Sequence, residues 1–493
     1  MALSSHKLFQ LLENFSPEEL KDFRKFISSP VYSSGRNYLP LLDELLKARK
    51  KKDSTAVGIH NKIYPGKKYS SQTQKNRFSE LFRLGEEFLI FRSLSEESIE
   101  RDKALLRTLT ERKLGKFFDN RFKKTIGKLE SEPDDEMKFK NIVDLQTINI
   151  LNLIAENNFD KYFPAYYEKT FYETCLTFIN MFQAGIEFRQ QSYLNRDYEF
   201  NIVVEMLQKI NFKEVTEKAK NKDTIIYKLA LMYYHLYKSF ENIENEGDYF
   251  EARRIFNDLK IHLSDSLKLR VYLTCIYYST HRQNMGLKKF KDELFRLYNE
   301  KLESGFYSDF SENIYPLNNF RDYVFIGIEV KQKEWVIDFI NKYSKYLPDT
   351  VRDNEIGLSF SKVSFASGNF EDSLRQIEGI KPTNFLHYFD SSMLKLCNYY
   401  ELDMIEEAYS EIDKFKHYIR SHNEIPKVHK NNSLNFTRFY PLLLKAKTNP
   451  DFDEIGALKS KLKSYPSVLK RPWLNTKILE LESRFTKPRL RHA

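Results

Sequence analysis

The sequence predicts an all-α protein: a small basic helical domain followed by helices that pair and stack. Three observations predict it. Glycine is scarce, 15 in 493 residues, whereas a doubly wound α/β enzyme of this length needs it at many tight turns and phosphate loops. Apolar residues recur every three to four positions through most of the chain, the period of a helix with one buried face. Three distant segments, "EGDYFEARRIF" (246–256), "SGNFEDSLRQI" (367–377) and "ELDMIEEAYSEI" (401–412), repeat one helix–turn–helix template. The 40 Phe and 31 Tyr supply large surfaces to bury between such elements. A chain of this length exceeds one ordinary core, so several domains or an elongated array are expected.

The first domain, residues 1–94, begins with a strong helix start. In Ser16-Pro17-Glu18-Glu19 the serine caps, the proline fits the first turn and the acids face the positive helix end. Leu20, Phe23, Phe26 and Ile27 then form one face, and "SSPVYSSGRN" ends the helix. A second helix over about 37–51 buries Leu41, Leu42, Leu45 and Leu46 and ends in a basic run, Lys47 to Lys52. A short helix near 55–63 stops at Pro65-Gly66. The longest of the domain follows, capped by Ser70 or Ser71, with Phe78, Leu81, Phe82, Gly85, Phe88 and Leu89 as its stripe.

Residues 95–222 read as less regular helices. "SEPDDE" (131–136) breaks the chain and opens a helix with acids in its first turn; "AENNFDKYFPAYYE" (155–168) reads as a turn whose Pro164 opens the next helix. From 223 to 485 the hairpin pattern is strongest. The small residues Ala252, Ser373 and Ala408 let two helices approach, and Ser373 and Ala408 lie 35 positions apart. The 121 positions from Ala252 to Ser373 are no whole number of repeats, so an irregular insert is expected near "SGFYSDFSENIYPLNN" (304–319). A short basic tail, 486–493, closes the chain.

Gly247-Asp248-Tyr249 with Ala252, and Gly368-Asn369-Phe370 with Ser373, resemble the inter-helix turn and second helix of tetratricopeptide (TPR) repeats. Asp403 replaces the turn glycine in the last unit, and the first-helix Trp and Gly of that family are missing. The resemblance implies a TPR-like α-solenoid. The whole chain also resembles an uncharacterised family of bacterial helical proteins, through "FSPEELKDFRKFISSPVY", "IYPGKKYSSQTQKNRFSELFRLGEEFL" and "EWVIDFINKYSKYLP" leading to "FASGNFEDSLRQI". That likeness bears on architecture and carries no activity.

Catalytic signatures fail one by one. "YPGKKYS" has one glycine and no preceding strand, so it is a turn and not a phosphate loop. His417, His422 and His429 share no helix face, and Pro426 intervenes; they read as solvated or capping groups. The neighbouring acids Glu18/Glu19, Asp134/Asp135 and Glu406/Glu407 sit where helix first turns favour acids. Cys175, Cys275 and Cys397 stand in apolar helical stretches, as small buried hydrophobes of a reducing compartment do. No signal-peptide pattern opens the chain and no apolar run spans a membrane. The expectation is a cytoplasmic, non-enzymatic protein with no cofactor or metal.

Charge singles out the N-terminal quarter. Residues 1–130 carry 27 Lys/Arg against 17 Asp/Glu, an excess equal to the chain's whole formal charge of +10. Lys50, Lys51 and Lys52 end one helix, and Lys67, Lys68, Lys75, Arg77 and Arg83 surround the start of another. This is a loose helix-turn-helix outline, and helix N-termini attract phosphate. It equally suits a basic docking face or a solvated surface. The aromatic helices "LMYYHLYKSF", "VYLTCIYYST" and "LCNYYEL" read as inter-repeat core with some rings on a concave face. The expected function is a scaffold that binds a peptide or protein on that face; the rival is a nucleic-acid-binding regulator using the basic domain.

Overall fold

A computed structural model describes residues 6–49, 55–95, 98–193, 202–212, 214, 224–307, 317–382, 385–423 and 425–486. Lys50, Lys51 and Lys52, half of the expected insert and all of the basic tail but Thr486 lie outside them. The described residues form twenty-four α-helices and no strand. The protein is all-α. It divides into two compact units, residues 1–264 and 265–493.

The first unit opens with α1 (Lys7–Glu13), α2 (Pro17–Ser28), α3 (Pro30–Ser33), α4 (Leu39–Arg49), α5 (Ala56–Ile63) and α6 (Ser71–Ser95). Their apolar faces close one core, with Leu8, Phe23, Leu42, Leu81 and Phe88 at its centre. Gly85 lets α6 and α1 approach closely, because a Cβ there would come within 2.5 Å of the Leu11 side chain and make it shift. The start of α2 is a reciprocal capping box: Ser16 Oγ accepts from the Glu19 amide at 3.2 Å, and Glu19 accepts from the Ser16 amide at 2.7 Å. Ser16→Ala is expected to remove the hydroxyl's share and lower stability by about 1 kcal/mol, read as an earlier urea midpoint at unchanged slope.

Helices α7 (Ile99–Glu111), α8 (Gly115–Glu130), α9 (Glu136–Ala155), α10 (Phe159–Tyr193), α11 (Ile202–Lys209), α12 (Ile225–Glu241) and α13 (Glu246–Leu259) complete this unit. Asp135 caps α9 by accepting from the Lys138 amide at 2.8 Å. Asp134 bonds through its backbone to His262 and Ser264 at 2.8 and 2.9 Å, tying the α8–α9 turn to the end of α13. The expected turn at 155–168 is shorter than read from sequence. It is confined to 156–158, and α10 runs through Pro164. Proline this near the helix start forfeits one bond, to the Asp160 carbonyl. Tyr162 and Ala165 pack against Ile150 and Leu153 of α9 and hold the helix across it.

The second unit contains α14 (Asp265–Asn284), α15 (Lys289–Glu303), α16 (Leu317–Glu329), α17 (Lys333–Tyr343), α18 (Asp349–Ala366), α19 (Phe370–Glu378), α20 (Phe385–Glu401), α21 (Ile405–Ser421), α22 (Lys427–Thr448), α23 (Phe452–Ser464) and α24 (Arg471–Thr486). Each helix packs on the next. Alternate helices also touch: α16 with α18, α18 with α20 and α22 with α24. Six turns here place one residue in the left-handed region: Gly286, Gly305, Lys331, Gly368, Asp403 and Lys470, with φ between +54° and +92°. Asp403, which stands where the template has glycine, is among the residue types that tolerate this conformation.

The small template positions do what their size predicts. Ala252, Ser373 and Ala408 are at most 1% exposed. Ser361 on α18 and Ser373 on α19 bond each other's carbonyl oxygens at 2.8 and 2.9 Å, so the two helices meet almost backbone to backbone. Asn398 Nδ2 on α20 donates to Ser373 Oγ at 2.9 Å, carrying the contact to the next hairpin.

Candidate functional site

Helices α15 and α17 border a groove of about 200 Å³ in the second unit, and α16 packs against both. Trp335, Phe339 and Tyr343 recur every fourth residue on α17, so their rings form one stripe along it. Phe339 lies nearly parallel to Trp335 at 5.5 Å and to Tyr323 of α16 at 5.0 Å, and Phe295 of α15 meets Trp335 edge-on at 4.9 Å. Trp335 keeps part of its surface exposed while Phe339 is 3% exposed, so the stripe is anchored at its middle and open at Trp335.

The polar lining is ordered by a relay. Trp335 Nε1 donates to Asn299 Oδ1 at 2.9 Å, and Asn299 Nδ2 donates to Glu303 Oε1 at 2.7 Å. The Glu303 carboxylate is thereby held near the indole. Asp338 and Lys342 complete the lining, and the Lys342 ammonium lies 5.2 Å from the centre of the Tyr343 ring. Sites for cofactors and drug-sized ligands enclose roughly 300 to 1,000 Å³. This groove is too small for those and large enough for a side chain.

Arg321 (α16), Glu355 (α18) and Asp390 (α20), also in the second unit, stand at intervals of 34 and 35 positions on alternate helices. Arg321 forks onto both Glu355 oxygens, its Nε at 2.9 Å, and lies 3.5 Å from Asp390. His387 Nε2 meets Glu355 Oε1 at 2.5 Å. Burial alone would raise the Glu355 pKa; the bonds from His387 and Arg321 outweigh it and hold it down to about 2. A His–Glu pair suggests acid–base chemistry, but both residues are 0% exposed and no substrate reaches them. The network ties α16, α18 and α20 together.

The basic residues singled out from sequence are only partly brought together. Arg77 lies over the Tyr64 ring at 4.2 Å and Lys67 over the same ring at 5.8 Å. The His60 ring holds the Lys67 carbonyl at 3.2 Å. Lys68, Lys75 and Arg83 are exposed and enter no ion pair among the described residues. Lys75 and Arg77, two positions apart on α6, leave the helix on opposite sides, whereas Lys75 and Arg83, eight positions apart, lie about 80° from each other.

The remaining sequence candidates resolve as packing and capping. His422 ends α21 and stacks on Tyr418 at 3.8 Å. No group of metal-ligating side chains occurs among the described residues. All three cysteines are buried, and burial pushes the thiols of Cys175 and Cys397 up to about 11 and about 12, keeping them protonated. Of the aromatic helices, Tyr233, Tyr237, Tyr272, Tyr278 and Tyr400 are at most 3% exposed and belong to the core. Among the described residues no helix is long and apolar enough to cross a membrane.

Comparison with known family models, curated proteins and solved structures gives no match.

Proposed function

We propose that the protein is a non-enzymatic scaffold that binds a peptide or protein, and that the groove between α15 and α17 receives one of the ligand's side chains. The observation that carries this is the half-open Trp335, set between a buried aromatic stripe and a polar relay. Tryptophan is among the residue types enriched at binding hot spots. The TPR-like α-solenoid belongs to the same proposal. Its support is the succession of contacts between neighbouring and alternate helices, together with the 34- and 35-residue intervals. Such an array binds by shape and needs no catalytic group.

Selection of random peptides displayed on phage against the full chain tests this. Selected peptides are expected to lose at least about tenfold in affinity in Trp335→Leu, with the helical circular dichroism unchanged. Peptides that bind this variant as well as the parent overturn the reading. So does tight binding of duplex DNA or RNA in a gel shift that weakens steeply with salt, which is what the basic N-terminal domain would give as a nucleic-acid regulator.

A further inference from the structure

We infer that the groove takes a cationic side chain, and by preference the guanidinium of an arginine in the bound peptide. This rests on the peptide-binding reading above and adds the chemistry of the residue recognised. Two carboxylates line the groove, Glu303 from α15 and Asp338 from α17. Both are exposed, and neither has a cation within ion-pair distance among the described residues. Elsewhere on α15, Glu293 pairs with Arg296 at 3.0 Å, and Lys291 pairs with Glu329 of α16. Glu303 and Asp338 keep their carboxylates available at the groove.

Their placement suits a planar cation. The Trp335–Asn299–Glu303 relay holds one carboxylate near the indole. A guanidinium on the open part of the Trp335 ring gains from the ring's negative face and can reach a carboxylate with its N–H groups. An ammonium gains the charge but not the stacking. An anionic side chain would meet Glu303 and Asp338. Lys342, over Tyr343 at the far end of the stripe, repels a cation there and directs it toward Trp335. A hard metal ion would need about six oxygens, and the groove lining holds no such set.

The chain has two tryptophans, Trp335 and Trp473, so the indole N–H resonance of Trp335 is assigned with a Trp473→Phe variant. The probes are N-acetyl-arginine amide and its neutral isostere N-acetyl-citrulline amide, titrated against the full chain. The arginine probe is expected to move the Trp335 resonance saturably, and the citrulline probe to bind about tenfold more weakly. The double variant E303Q/D338N, altered only at exposed positions, should bring arginine down to the level of citrulline. Equal binding of the two probes, or undiminished arginine binding by the double variant, overturns the inference. If neither probe moves Trp335 while phage-selected peptides still depend on it, the cation assignment fails and the peptide site stands. If selected peptides are also indifferent to Trp335, both fail.

Discussion

Glu355→Ala is expected to destabilise the second unit by about 3 kcal/mol, measured by urea unfolding followed through helical circular dichroism. Removing one member of a buried ion pair leaves its partner charged and desolvated, which costs roughly 3 to 5 kcal/mol. Arg321 keeps Asp390 at 3.5 Å, so the lower end applies. Domains are stable by only about 5 to 15 kcal/mol, and the loss is a large part of that. Replacing the set by apolar residues, Arg321→Met with Glu355→Leu and His387→Leu, should recover most of it, because no buried charge is then left alone. The same site sets a pH dependence. The Glu355 pKa is about 2 in the folded protein against an ordinary 4.5, so the ionised carboxylate stabilises the fold fully above the unfolded value. That stability is lost as pH falls from about 4.5 toward 2. In Glu355→Gln, the slope of stability against pH over this window should flatten.

Ser373→Leu is the second large effect. Its hydroxyl donates to the Ser361 carbonyl of α18 and accepts from Asn398 of α20, its own carbonyl accepts from the Ser361 hydroxyl, and both serines are 0% exposed. Leucine there forces α18 and α19 apart, typically about 1 to 3 kcal/mol for an overpacked core. It also removes the hydroxyl that donates to the Ser361 carbonyl and accepts from Asn398, leaving both without that partner, about 1 to 3 kcal/mol more. A total of about 3 to 5 kcal/mol is expected. Ser373→Ala preserves the close approach and loses only the bonds, so it should cost about 1 to 2 kcal/mol. Equal losses in the two variants would mean that helix separation is not what the position controls.

Local chemistry was readable in the sequence where the determining groups are near neighbours. The Ser16 cap, the turn at Gly368 and the small residues Ser373 and Ala408 each follow from residues within one or two helical turns, whereas Asp135, read as a first-turn acid, is the cap that precedes α9. Asp403 could be matched to a glycine turn because its offset from Ala408 repeats that of Gly368 from Ser373. Pro164 misled because proline opens helices more often than it sits inside them; the packing of Ala165 on α9 decided the matter. The Asp134–His262 link joins residues more than a hundred positions apart and leaves no local trace. The candidate groove was not legible either. Trp335 stands in a segment quoted only for its family likeness, and its relation to Asn299 and Glu303 depends on how α15 and α17 cross. One signal was available: Arg321, Glu355 and Asp390 recur at the repeat interval, which marks them as charges brought together on alternate helices. The basic residues drew attention because charge is visible in a sequence, whereas convergence is not; Arg77 turns to Tyr64 while Lys75 leaves the other side of α6.

Hydrogen–deuterium exchange of the full chain, with and without a saturating phage-selected peptide, tests the central proposal most directly. Bound peptide should slow exchange at the amides of 289–303 and 333–343 and leave α6 unchanged. Protection confined to 71–95, or none in the two groove helices, would contradict it.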